Sequence, residues 1–436
     1  MIVRQLRLAN FRAFEHIELV FEEDLNVIAG VNGLGKSSIL QALAALFSHA
    51  IPDFTPATTR PTYFTDEDIY CDESLLDTSA IFSVEGTWLC YASLQRLAGS
   101  NDEANTWNCA WLKPDMNKSL HELLSERTLT GDLAAGTAER EQMLFALKNR
   151  PNHPHVIYFS PTRQLPGRPR TLPELKAFEV ANAYSFALQD RQVDLREFMH
   201  WFRVVESGIG SSNQQGTRIL TKLREVVSDF VPAFTNLRVE EMPNLRFVVE
   251  KDGVPLALNQ LSDGERGLLA IIFDITRRLA IANPILDDPI ADGKAIILID
   301  EIELHLHPKW QRQVLRRFKE IFQNCQFIVT THSPQVVGEV ESRCLHFLMQ
   351  EDDKVIPWTP PRSLGLDSSR VLEELMDVRA RNAEIDEQLN VLSQLIDDED
   401  FERAQQCMDK LAQTLGQDDP ELTRARTLIA FLEDTE

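Results

Sequence analysis

The sequence predicts an α/β fold: a mixed sheet gathered around a glycine-rich loop, with a helical insertion in its middle and a helical tail at its end. Three observations predict it. An apolar strand, LNVIAG (25–30), runs into Gly30-Val31-Asn32-Gly33-Leu34-Gly35-Lys36-Ser37 and then into the helical pattern SSILQALAAL. Two further apolar runs, Ile296–Ile299 and FIVTT (327–331), have the length and composition of strands buried on both faces. Beyond IPWTPPRSLGLDSS (356–369) the periodicity becomes helical, with one apolar face.

Taken in order, residues 2–8 and 17–28 read as strands, followed by the glycine-rich loop and its helix. From about 50 to 80 the chain is irregular and rich in Pro, Thr and Asp, and SAIFSVEGTWLCYASLQRL (79–97) then reads as a pair of strands. Residues 100–150 mix loop and helix, HVIYFS (155–160) is a buried strand, and a helical insertion spans about 172–232. LRVEEMPNLRFVVEKDGVPLALNQLS (237–262) supplies two short strands with a DG turn, after which strand and helix alternate to about 348. Four regions result: 1–100, 101–232, 233–358 and 359–436. In the last, Leu389, Leu392, Leu395 and Ile396 form an apolar stripe, continued by Leu411, Leu415, Leu428, Phe431 and Leu432. It needs a cover, either the chain's own body or another chain.

The 436 residues, 43% hydrophobic and 25% charged, suit a globular chain of two or three domains. No apolar run approaches the ~20 residues of a membrane span, and MIVRQLRLANFRAFEHIELVF alternates like a strand rather than a leader. Six widely spaced cysteines without a CxxC pair fit reduced thiols. The expectation is a cytoplasmic chain with no membrane partner. Net charge is −23, and from Asp367 onward seven Lys/Arg face nineteen Asp/Glu, so about half the excess sits in the tail. Such a chain does not coat nucleic acid through its whole surface. Arg163, Arg168, Arg170 and Lys176 form a local basic patch that leaves DNA contact open.

The chemistry-bearing motifs follow the sheet. Gly30–Ser37 matches GxxxxGK[ST] without deviation, between a strand and a helix. Backbone N–H groups of such a loop wrap phosphates at the positive end of the helix. Asn32, Gly33, Gly35, Lys36, Ser37 and Ser38 are therefore the expected ATP contacts, with Lys36 on the β- and γ-phosphates and Ser37 on Mg²⁺. Asp300 and Glu301 end a central strand at the same sheet edge. Asp300 would hold Mg²⁺ through a water, and Glu301 would orient and deprotonate the attacking water. His332, past the end of FIVTT, would contact the γ-phosphate. His305 and His307, an i, i+2 pair without other ligands, read as a turn rather than a zinc site.

One polar stretch, LSDGERG (261–267), opens the apolar helix LLAIIFDITRRLA. Ser262 and Glu265 have the spacing of a capping box, with Gly264 easing the turn. Phosphate loop, LSDGE, IDE and TTHS nevertheless fall in the order of the ATP-binding-cassette ATPases, whose signature motif LSDGE resembles. The resemblance implies a cassette ATPase head with a helical signature lobe. It also implies a head-to-tail dimer or higher oligomer, in which Ser262, Gly264 and Glu265 of one subunit cover the ATP of the other.

The start, LRLANFRAFEHIELVFEEDLNVIAGVNGLGKSSILQAL, resembles the RecF, SMC and OLD-type branch, whose NFR arginine matches Arg12 near the nucleotide. Residues 100–215 carry no long heptad arm of the SMC kind, and too little chain follows THSP for an OLD-type nuclease domain. The class's Q-loop glutamine has Gln164 as its best candidate, as a further metal contact. LSDGERGLLAIIFDITRRLAIANP, REFMHWFRVVES and the acidic tail look like the ATPase subunit (PtuA) of the Septu anti-phage system, also found in retrons. That likeness implies an ATPase regulating an HNH nuclease (PtuB), with a reverse transcriptase and its nucleic acid as further partners where the system is retron-borne. Its aromatics Phe198, Trp201 and Phe202 read as insertion core or dimer contact. The alternative is a RecF-like repair clamp closing on duplex DNA.

Overall fold

The parallel strands β3 (Leu25–Gly30), β7 (His155–Phe159), β11 (Ala295–Ile299) and β12 (Cys325–Thr331) are buried along their whole length. Their near-continuous apolar sequences suit a sheet covered on both faces. The structure, a computed structural model, describes residues 1–58, 60–71, 73–84, 88–99, 105–112, 137–162, 179–190, 195–207, 213–240, 246–378 and 381–433. With β13 (Leu345–Glu351) and the antiparallel β14 (Lys354–Trp358), these strands form a six-stranded sheet in the order β14-β13-β3-β12-β11-β7. The register pairs Ile299 with both Val329 and Phe159, and Thr331 with Ala29. Every motif after a parallel strand therefore leaves the sheet at one carboxyl edge.

A second, antiparallel sheet runs β2-β1-β4-β5-β6, from β1 (Ile2–Phe11), β2 (Phe14–Val20), β4 (Leu75–Val84), β5 (Trp88–Leu97) and β6 (Asn105–Leu112). The run expected as one strand over 17–28 is two, because Phe21–Asp24 carries the chain from this sheet to β3 in the other. β6 continues the sheet past residue 100, where the sequence reading expects loop and helix; its NTWNCAWL mixes polar and aromatic residues without clean alternation. The helix Lys36–Phe54 is buried on nearly every side and touches strands of both sheets, as a helix apolar all round must.

Beyond the insertion stand three strands where two were expected: β8 (Phe234–Glu240), β9 (Arg246–Lys251) and β10 (Val254–Ala257). Asp252 and Gly253, both at positive φ, make the β9–β10 turn. The helix Asp263–Ala282 packs on the described insertion helices Val180–Tyr184, Leu195–Glu206 and Asn213–Phe230. Phe198, Trp201 and Phe202 are buried, and Phe198 stacks on Phe273 of that helix at 4.3 Å between centroids. These aromatics are core. Arg278, buried on the same helix, pairs with Asp274 at 2.6 Å and donates to the carbonyls of Ala183 and Ser185.

The chain divides into two compact units, Met1–Gly365 and Leu366–Glu436. In the second, the helices Ala383–Asp397, Phe401–Leu415 and Pro420–Glu433 cover one another's apolar faces. Leu392 and Ile396 are buried against Ala404, Met408, Leu411, Leu422, Ala425 and Ile429, with Leu389, Leu395, Leu415 and Leu432 packed around them. Most of the tail's stripe is thus covered within the tail; Leu428 and Phe431 are exposed.

Candidate ATP site

The glycine-rich loop turns because its glycines permit it. Gly35 has φ +83, and a Cβ there would lie 2.7 Å from the Phe14 ring. Asn32 and Gly33 are exposed, and nothing stands within 4 Å of where a Gly33 side chain would begin. The loop is an open cradle ahead of the helix. Lys36 is 5% exposed and its Nζ donates to the carbonyls of Gly30 and Val31, each at 2.8 Å, folding the ammonium onto its own loop. Burial pushes its pKa down to about 8, against the opposing pull of Glu303, Asp300 and Glu301.

Arg12 reaches the same helix from the turn between β1 and β2. Its guanidinium bonds Asp68 at 2.8 Å, Ser38 Oγ at 3.3 Å and the Gln41 side chain. Ser37 is half-buried and Ser38 buried at the start of this helix.

At the ends of β11 and β12 a single hydroxyl organises the acidic pair. Thr330 Oγ1 donates to Asp300 Oδ1 at 2.5 Å and accepts the Glu301 N–H at 2.8 Å. Asp300 is 2% exposed. Glu301 takes a left-handed backbone, φ +48, a conformation that costs a non-glycine residue about 1 kcal/mol or more. His332 is half-buried next to the loop. Burial lowers its pKa, then the Lys36 charge; Glu303, Glu301 and the Gly30 backbone act in the opposite direction. Lys36, Asp300, Glu301 and His332 thus come together, as the motif order requires.

The stretch LSDGE forms a complete capping box at the start of Asp263–Ala282. Ser262 Oγ accepts the Glu265 N–H at 3.4 Å, and Glu265 Oε2 accepts from the Ser262 N–H and hydroxyl, each at 2.9 Å. Glu265 also pairs with Lys251 at 2.6 Å. Burial alone would raise the Glu265 pKa; Lys251 and the two Ser262 donors bring it below the ordinary range. Gly264 does something the sequence does not announce. Its Cβ position lies 2.1 Å from the His305 carbonyl oxygen, so glycine lets this helix meet the turn that follows Glu301. Ser262 and Asp263 are exposed at the helix mouth.

Other expectations divide. His307 Nδ1 accepts the Lys309 N–H and starts the short helix at Pro308, a turn role. No group of three His, Cys, Asp or Glu suited to a metal occurs among the described residues. Gln164 and the patch Arg163, Arg168, Arg170 and Lys176 lie outside the described residues. Glu303, Thr330 and Gln41 also belong to the site; no spacing rule marks them in the sequence, because their partners are distant along it.

Residues 1–106 match the family model described as "AAA ATPase domain", and residues 123–338 match one described as "AAA domain, putative AbiEii toxin, Type IV TA system". Both stretches are thus similar to AAA-type domains. "Retron Ec83 probable ATPase" of Escherichia coli is 39% identical over 191 residues, 44% of this chain and 34% of that protein. "Retron Vc95 probable ATPase" of Vibrio cholerae is 35% identical over 154 residues, 34% of this chain and 30% of that protein. "Septu protein PtuA" of Bacillus thuringiensis is 21% identical over 393 residues, 87% of this chain and 84% of that protein. The chain thus spans about a third of the length of the two retron relatives. These relatives meet the retron and Septu resemblance. No described helix is long and apolar enough to cross a membrane.

Proposed function

We propose that this chain is an ATPase that closes head-to-tail on ATP with a second copy, as a dimer or higher oligomer, and that its nucleotide state governs a partner nuclease in an anti-phage defence complex. One observation carries the oligomer reading: the capping box at Ser262 is complete and its helix mouth exposed, while Gly264 ties that mouth to the turn after Glu301. The box takes up the Ser262 and Glu265 N–H groups. It is therefore the exposed Ser262 hydroxyl and the positive end of this helix that would face the γ-phosphate of ATP held by another copy. The retron and Septu names of the relatives support the defence setting.

In this reading Lys36 exchanges the Gly30 and Val31 carbonyls for the β- and γ-phosphates. Glu301 accepts the proton of the attacking water, His332 contacts the γ-phosphate, and Arg12 steadies the nucleotide's approach to Ser38. Ser37 and Asp300 carry the hard oxygen donors that suit Mg²⁺, and Thr330 fixes the Asp300 carboxylate for it. Bound Mg²⁺ would neutralise phosphate charge. The acidic tail is the docking element for an HNH nuclease subunit, with a reverse transcriptase and its nucleic acid joining in a retron.

The first test is capture of the tagged chain from its native cell with and without ATP, resolved by mass. A small HNH protein at fixed ratio supports the reading, and loss of that capture on deleting residues 367–436 places it on the tail. A chain recovered alone that shifts duplex DNA only with ATP replaces it with a RecF-like clamp. Glu301→Gln should accumulate an ATP-bound dimer in light scattering; wild-type turnover in that variant removes the base assignment.

A further inference from the structure

Among the described residues Glu303 makes its side-chain hydrogen bonds to the end of β12 and not to the glycine-rich loop, and so joins the two strands that carry the reaction. Its Oε1 accepts the backbone N–H of His332 at 2.6 Å, and its Oε2 accepts Thr331 Oγ1 at 2.8 Å. Both carboxylate oxygens are thus committed across 28 and 29 residues of sequence to the end of β12. Glu303 stands two residues after Glu301, in a turn closed by the Leu304 N–H to the Glu301 carbonyl at 3.0 Å and the Leu306 N–H to the Glu303 carbonyl at 2.8 Å. The same turn is sewn to β12 by the Ile302 N–H on the Thr330 carbonyl at 3.0 Å and the Glu301 N–H on Thr330 Oγ1 at 2.8 Å.

We infer that Glu303 is a positioning residue: it fixes the His332 backbone to the turn bearing Glu301, so that histidine and base meet one γ-phosphate in a set geometry. This rests on the ATP-site reading above. Charge-assisted bonds from a carboxylate are short and strong, and Glu301 sits in a left-handed conformation that its surroundings must hold. Without Glu303, His332 keeps its strand but loses its tie to that turn. The groups acting on the His332 ring are Lys36, Glu303 and Glu301, with the Gly30 backbone.

Two variants separate bracing from charge. Glu303→Ala removes the brace. Glu303→Gln keeps the shape: its amide oxygen can accept from the His332 N–H, and its NH₂ can donate to the Thr331 hydroxyl, which is able to accept. Steady-state ATP turnover should fall about tenfold to a hundredfold in kcat for Glu303→Ala, the scale of an ångström-level misplacement, with KM within about threefold. Glu303→Gln should restore kcat to within about threefold of wild type. In ¹⁵N-histidine-labelled protein, with His332→Gln for assignment, the His332 amide should lie downfield in wild type, shift upfield in Glu303→Ala and shift less in Glu303→Gln.

Wild-type kcat in Glu303→Ala overturns the inference. So does equal loss of turnover in both variants with the His332 amide unmoved in Glu303→Gln, because Glu303 would then act through its charge. A wild-type chain without turnover would sink the ATP-site reading instead, and the amide shifts would still decide the brace.

Discussion

Gly264 and Gly267 stand three residues apart on one helix and should respond oppositely to the same substitution. A Cβ at Gly264 would meet the His305 carbonyl oxygen at 2.1 Å and its carbon at 2.9 Å, whereas at Gly267 nothing lies within 4 Å. Ordinary contact begins near 3.4 Å, so Gly264→Ala forces the two backbones apart by more than an ångström. Such overpacking costs about 1–3 kcal/mol, offset by the ~1 kcal/mol that alanine gains over glycine in a helix. Gly267→Ala keeps only the gain. For a unit the size of Met1–Gly365, each kcal/mol moves Tm by roughly 1–2 °C. Calorimetry should therefore show Gly264→Ala melting up to ~4 °C lower and Gly267→Ala ~1–2 °C higher. Turnover separates them further, because the displaced turn carries Glu301 and Glu303. An ångström there costs up to about a hundredfold in kcat, while Gly267→Ala should hold kcat at the wild-type value. Tm shifts of the same sign with equal turnover would refute the contact between the helix Asp263–Ala282 and the turn.

Thr330→Val removes the hydroxyl shared by Asp300 and Glu301; it should cost about 1–3 kcal/mol and at least about tenfold in turnover, and a variant matching wild type in both would deny Thr330 its organising role. Burial holds the Lys36 ammonium down at about 8, and phosphates favour its charged form. ATP binding therefore takes up a proton above that pH, so affinity should be flat below about pH 7 and fall by up to about tenfold per unit above about pH 8. Titration calorimetry from pH 7 to about 9.5 in buffers of different ionisation enthalpy checks it, and a pH-independent affinity contradicts it. In the tail, Leu411→Ala should cost about 2–4 kcal/mol and lower the tail's own helical melting transition, leaving ATP turnover unchanged. Turnover falling in step would show that the units do not fold separately.

What was legible in the sequence was what lies contiguous along it. The loop Gly30–Ser37, the pair Asp300-Glu301 and His332 could be read because each follows an apolar run that can only be a buried strand, and parallel strands bring their ends to one edge. The Ser262–Glu265 box could be read because a cap acts within four residues. Glu303 could not: an acidic residue two places after another has no rule, and its partners Thr331 and His332 are reached only by the β11–β12 pairing. Gly264 was readable as a turn glycine, but its physical constraint comes from a carbonyl 41 residues away in sequence, at His305. β6 is hidden in the sequence for a related reason. Its polar and aromatic mixture makes sense only against β5.

The strand order has a consequence for synthesis. β3 emerges at residue 25, yet its two neighbours in the sheet are β12, which begins at 325, and β13, which begins at 345. At ribosomal rates of about 5–20 residues per second, this apolar strand and the loop behind it wait roughly 15–60 s for their partners. During that interval the nascent chain offers an unpaired hydrophobic edge, a substrate for chaperones and a hazard for aggregation. A ribosome that stalls anywhere before residue 325 leaves a glycine-rich loop without its acidic strand in register with β12. The sheet edge on which the proposed nucleotide site depends is therefore completed only after β12 and β13 have been made, some 300 residues behind β3.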